Sequence, residues 1–123
     1  MIYDLAFAML FWLLLKHYLF DFVLQFERHL LHKDLYGDRG AMEHAGLHGL
    51  GTFLVFLWGL DLQTAAIAGA VDAVVHYHID WLKAKVTLWS GANPSDREFW
   101  ILFGMDQALH QVTYLALVVW LLP

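Results

Sequence analysis

Four apolar runs of roughly 20–25 residues take up most of this 123-residue chain. Each is long enough to cross a hydrocarbon core of about 30 Å as a helix rising 1.5 Å per residue. The runs cover residues 2–25, 41–60, 62–86 and 99–122. Residues 26–40 form a charged linker and 87–98 a loop containing Gly91 and Pro94, both helix breakers. Apolar residues make up 60% of the chain and charged residues 15%, against about 45–50% and about 25% in an average soluble domain. A single domain of this size has too much surface to bury such an excess in water. The reading is an all-α integral membrane protein, an antiparallel four-transmembrane-helix bundle formed by one domain, residues 1–123.

The connections refine this picture. Trp58-Gly59-Leu60-Asp61 is short enough to make spans two and three an antiparallel hairpin. The linker suits a short interfacial helix ending near Gly37, and Ser95-Asp96-Arg97-Glu98 reads as a capping box opening the fourth helix. The first run reads as a span, because no basic residue precedes it and no small-residue cleavage site follows. Arg28, Lys33 and Arg39 lie in the first connection, with Lys83, Lys85 and Arg97 in or beside the third. The positive-inside rule then places both connections in the cytoplasm and both termini outside it. With 7 Lys+Arg against 12 Asp+Glu, the net charge of −5 argues against nucleic-acid binding. The absence of Cys excludes disulfides and thiolate ligands.

Ionisable residues inside spans are costly, so their placement is informative. The runs carry His17 with Asp21, His44 with His48, Asp72 with His76 and Asp80, and Asp106 with His110. Every spacing is i, i+4, which puts partners on one helix face. Counted from the cytoplasmic ends, His17, His48, His76 and Asp106 share a layer roughly 10–15 Å deep. Four helices running up and down would thus bring their polar pairs to one height. Imidazole and carboxylate hold zinc, iron, manganese, nickel and copper when thiolate is absent. Helical bundles build one- and two-metal centres in this way. The expected ligands are His17, Asp21, His44, His48, His76, Asp80, Asp106 and His110, for one or two divalent ions, with zinc first in order. Asp80 and Asp106 are the candidate catalytic bases. The bland alternative is an interhelical hydrogen-bond network, in which such pairs average about 0.6 kcal/mol.

Other polar residues read differently. Asp72 suits a supporting role, a proton path or a packing role, and His78, about 200° around the helix from His76, faces elsewhere. His29 and His32 read as interfacial, Lys16 as a snorkelling side chain or partner of an acid, and Lys83 as an anchor. Gln25 and Gln107 are placed to hydrogen-bond the site. The tryptophans suit an interfacial belt, while Gly46, Gly49 and Gly51 allow close helix approach.

Taken together, His17-Tyr-Leu-Phe-Asp21-Phe22-Val-Leu24-Gln25, His44 with His48, His76-Tyr-His-Ile-Asp80-Trp-Leu-Lys83 and Asp106-Gln107 with His110 resemble the family called domain of unknown function 3307. The resemblance runs from about residue 15 to residue 111. It implies a small multi-span membrane protein of the prokaryotic cell membrane, with these positions as its polar signature. It implies no activity, and Asp72 and His78 fall outside its motifs.

The residues themselves favour a metal-dependent membrane hydrolase acting on a lipid-like substrate. Three other classes compete: an ion or proton relay, a haem- or pigment-binding subunit, and a structural subunit in a homo-oligomer or larger complex. A relay would need polar groups in the outer half of each span, where the sequence is nearly featureless.

Overall fold

The computed structural model describes residues 1–123 and is entirely helical. Helix α1 (Ile2–Tyr18) continues through a π-helical turn (Leu19–Val23). A single turn, α2 (Glu27–Leu30), interrupts the linker. Three long helices follow: α3 (Arg39–Gly59), α4 (Leu62–Ser90) and α5 (Arg97–Leu121). α3 packs on α4, α4 on α5, α5 on α1 and α1 on α3, so α1 and α4 are diagonal in a four-helix ring.

Local chemistry sets the helix ends. Asp38 caps α3 by accepting from Ala41 N at 3.0 Å. Asp61 caps α4, accepting from Thr64 N at 3.0 Å, so only Leu60 and Asp61 separate the two helices and the hairpin forms as the sequence suggests. Thr64 also holds the Asp61 carboxyl below its usual range. Gly91, at φ +68°, ends α4 in the left-handed conformation that glycine adopts without strain.

Several boundaries differ from expectation. α4 persists through Ser90, because nothing between Val86 and Gly91 breaks the helix. The Ser95 capping box does not form. Asp96 is the residue before α5, and its carboxylate instead accepts from Asn93 N at 2.9 Å, closing the loop on itself. The linker helix stops at Leu30, well before Gly37, and His32 then adopts a left-handed φ of 62°.

Burial is inverted relative to a soluble protein. Of 24 buried residues, 11 are polar or charged, one more than the 10 of the apolar core. Large apolar residues such as Phe7, Phe11, Leu54, Val74, Val112 and Val119 face outward. The interior divides by height. Met9, Leu13, Phe56, Ala65, Ala68, Tyr114, Leu117 and Val118 fill the half near the α3–α4 turn. Histidines and aspartates fill the half near the linker. By length and composition only Ile2–Val23 qualifies as a membrane span. Residues of the polar interior lie on α1 and its π turn as well as on α3, α4 and α5, and in the last three helices they lower the hydropathy.

Close packing makes this ring possible. A Cβ on Gly49 would lie 2.6 Å from the Gly69 carbonyl oxygen, and one on Gly69 would lie 2.7 Å from that of Gly49. Gly51 makes room for the Lys16 stem and Phe20, whereas Gly46 has nothing within 4 Å and plays no such part. Gly49→Leu is therefore expected to destabilise the fold by about 1–3 kcal/mol through overpacking. Gly46→Leu should leave thermal unfolding in detergent unchanged.

Candidate metal centre

All four expected pairs point into the bundle at one level. The i, i+4 spacing holds within each helix: His17 Nε2 lies 3.1 Å from Asp21 Oδ2, His76 Nε2 3.6 Å from Asp80 Oδ2, and His110 Nε2 3.4 Å from Asp106 Oδ1. The π turn falls on Asp21 itself, adding a residue to the turn that delivers this carboxylate.

The helices then bring the pairs together. Asp21 Oδ1 lies 3.0 Å from His48 Nε2, 3.1 Å from His44 Nε2 and 3.6 Å from His76 Nε2. The Nε2 atoms of His44 and His76 are 3.2 Å apart. These four atoms lie within 4.8 Å of one another and could hold a metal ion. A tetrahedral zinc with bonds of about 2.0–2.1 Å would separate its ligand atoms by roughly 3.3 Å, a spacing close to the 3.0–3.6 Å found between these atoms. Hydrogen bonds join several of these atoms, but not all of them. His48 Nε2 is buried and makes no hydrogen bond, although the Asp21 oxygen is within reach. This nitrogen is one of the four candidate ligand groups, with Asp21, His44 and His76.

A second group joins the first. His76, Asp80 and His110 also offer atoms within 4.8 Å of one another. His110 Nε2 lies 3.2 Å from Asp80 Oδ1. His76 belongs to both groups, and a ring nitrogen that binds one ion is not free for another. His17 and Asp106 stand outside both groups, at their edges. His17 Nε2 meets Gln107 Oε1 at 2.9 Å, and its Nδ1 meets the Tyr114 hydroxyl at 2.9 Å. Asp106 Oδ2 accepts from Gln107 Nε2 at 3.1 Å, while its buried Oδ1 has no hydrogen-bond partner.

Supporting side chains surround these atoms. Gln107 also donates to Asp21 Oδ2 at 3.3 Å. The Gln25 amide, turned so that both ends are satisfied, donates to the Asp21 carbonyl at 2.9 Å and accepts from Lys33 Nζ at 2.9 Å. Both glutamines thus act as the sequence suggests. Lys16 is a buried partner of an acid: Nζ lies 2.8 Å from Asp72 Oδ2 and donates to Thr52 Oγ1 at 2.9 Å and His48 O at 3.1 Å. Asp72 is accordingly its counterion. His78 is exposed and bonded to Tyr36, as its position around the helix implies.

His29 departs from expectation. It is fully buried, its ring 5.7 Å from that of His44, rather than interfacial. Burial and the Arg28 charge hold its pKa below the usual imidazole value. Lys33 was unforeseen at the site, yet its Nζ lies 2.6 Å from Asp80 Oδ2. It sits on an irregular linker, where no helical period flags it. Tyr114 and Thr52 did have a signal, since each lies four residues beyond a site histidine.

A cavity of about 270 Å³ opens onto the cluster, with Asp21, Asp80, Asp106, Lys33 and Lys83 among its lining. The histidine rings are too closely stacked to admit a porphyrin: centroids lie 3.7 Å apart for His48 and His76, and 4.0 Å for His76 and His110.

A family model described as "Protein of unknown function (DUF3307)" matches residues 9–122. The chain belongs to this family. The match extends beyond the four polar motifs and takes in most of α1 and all of α5. No curated protein and no solved structure matches.

Proposed function

We propose that this family member is a metal-binding integral membrane protein, a four-span bundle of the prokaryotic inner membrane that hydrolyses a lipid-like substrate. One observation carries the metal reading: the convergence of Asp21, His44, His48 and His76 with an unsatisfied His48 Nε2 at its centre. The inverted burial supports the membrane reading, because outward Phe, Val and Leu side chains suit lipid and an interior polar cluster suits an active bundle. The basic linker and the polar half would face the cytoplasm, with both termini outside.

Zinc is the first ion to test, followed by iron, manganese and copper, because the donor set is imidazole and carboxylate. A bound ion would polarise the scissile group and lower the pKa of water. A second ion would use Asp80 and His110. The two carboxylates assigned to catalysis then differ in role. Asp80 is engaged by Lys33 and His110 and holds the site together. Asp106 Oδ1 is buried beside the cavity with no hydrogen bond, though 3.4 Å from His110 Nε2, and it would accept the proton that water loses. A through-membrane relay is less well supported. The polar chain stops at Lys16, Thr52 and Asp72, beyond which the buried Met9, Leu13, Phe56 and Leu117 seal the bundle.

Metal content by mass spectrometry tests the reading, on protein purified in detergent without a histidine tag. The parent should retain near-stoichiometric metal, and a folded His48→Ala, His76→Ala double variant should retain none. An empty parent, even after reconstitution with zinc, manganese, iron, nickel and copper, would overturn it.

A further inference from the structure

The cavity that reaches the cluster does not end there. A second one of about 420 Å³ lies against it and shares Leu30, Lys33, Lys83 and Ala84 with the first. Lys33 and Lys83 therefore stand where the two chambers meet. Their circumstances differ. Lys33 is bound to Asp80 at 2.6 Å. Lys83 makes no ion pair, and its Nζ instead lies 5.6 Å and 5.9 Å from the ring centroids of Phe103 and Phe99. It is a half-buried ammonium group without a counter-anion at the mouth of a candidate catalytic cavity.

The charge balance gives this meaning. Asp21, Asp80 and Asp106 on the inner wall face Lys33 and Lys83. In the inner chamber three carboxylates against two ammonium groups leave a net negative charge, and a single divalent ion bound there reverses the sign. A loaded site therefore attracts an anion, and Lys83 is the cation on its wall left free to receive one. Phe22, Phe103 and Leu30 supply apolar surface on the same wall. The outer chamber is lined by His32 and Thr87, which can hydrogen-bond a head or leaving group, and by the Asp34 carboxylate, which would keep a second anion out.

We infer that the site takes a phosphate ester, with the phosphoryl group between the metal cluster and Lys83. This rests on the metal reading above and names its substrate class. Shared phosphate chemistry admits two sources, a lipid headgroup or a free phosphate.

Calorimetry on the full chain in detergent tests it, with zinc-loaded and metal-free protein. The probes are inorganic phosphate, dihexanoyl phosphatidic acid and the phosphate-free dihexanoylglycerol. Loaded parent should bind both phosphates, and metal-free parent neither. Tighter binding of dihexanoyl phosphatidic acid would indicate a lipid source, and tighter binding of inorganic phosphate a soluble one. Lys83→Gln should weaken phosphate binding by about tenfold or more, the effect of one charge-assisted hydrogen bond. Its metal per chain should equal that of the parent. If a metal-bearing parent ignores phosphate, binds dihexanoylglycerol as well as the phosphatidic acid, or is unaffected by Lys83→Gln, this inference fails and the metal reading stands. If the parent holds no metal at all, both fall.

Discussion

Asp21→Asn should weaken metal binding more than any other single substitution at the centre. Asp21 supplies the only negative charge in the four-ligand group, and three histidine nitrogens lie within 3.6 Å of its Oδ1. Its second oxygen is held by His17 and Gln107, so the carboxylate is aimed as well as charged. Asparagine keeps the shape and most contacts but removes the charge and halves the acceptor capacity. Loss of a supporting partner typically costs about 10–100-fold in metal affinity, and loss of the ligand itself should exceed about 100-fold. Competition with a fluorescent chelator would measure this. Tyr114→Phe, which removes the hydroxyl behind His17, provides the contrast and should fall within the smaller range. If Asp21→Asn retained parental affinity, Asp21 would not be a ligand, and its carboxylate would serve only the hydrogen bonds around it.

The centre was legible because helical spacing is a geometric rule. Four i, i+4 pairs on four apolar runs of similar length had to converge if the runs packed as a ring, and the buried histidines and aspartates do converge. Spacing alone could not order the contacts. It could not show that His76 would stand between two groups, or that His17 would hold the back of Asp21. Those depend on helix rotations fixed by packing, such as the Gly49–Gly69 contact. The π turn at Asp21 has no sequence pattern at all. Loop-borne contributors were invisible for the same reason: Lys33 and His29 reach the site through a linker that follows no period.

The helix ends show the opposite failure. Ser95 and Glu98 fit the capping-box pattern, yet Asn93 offered its side chain first: Ser95 Oγ and N both bond to Asn93 Oδ1. A local side-chain competitor defeats a motif that considers only two positions. Hydropathy passes only Ile2–Val23 as a possible span, because α3, α4 and α5 carry more polar residues, some of which, such as His44, His76 and His110, lie inside the ring.

Lys16→Met should cost the fold about 3–5 kcal/mol, the penalty for leaving one member of a buried ion pair alone. Lys16 and Asp72 are 7% and 1% exposed, and each has too few neutral partners to stand unpaired. Asp72 Oδ1 already lacks a hydrogen bond, and Oδ2 would keep only Thr52. Asp72→Leu should be comparably harmful, because it strands the Lys16 ammonium group among His48, Thr52 and the Tyr114 ring. Removing both charges should recover most of the loss. The Thr52 hydroxyl, four residues beyond His48, could then bond back to the His48 carbonyl that Lys16 vacates. Unfolding in mixed micelles would give the three free energies of the cycle. A strong positive coupling with parental metal content in the double variant would mark the pair as the boundary between the two halves of the interior, joining the polar chamber to the apolar seal. Additive losses would instead mean that each charge answers to the metal cluster separately. Lys16 would then be part of the centre through His48.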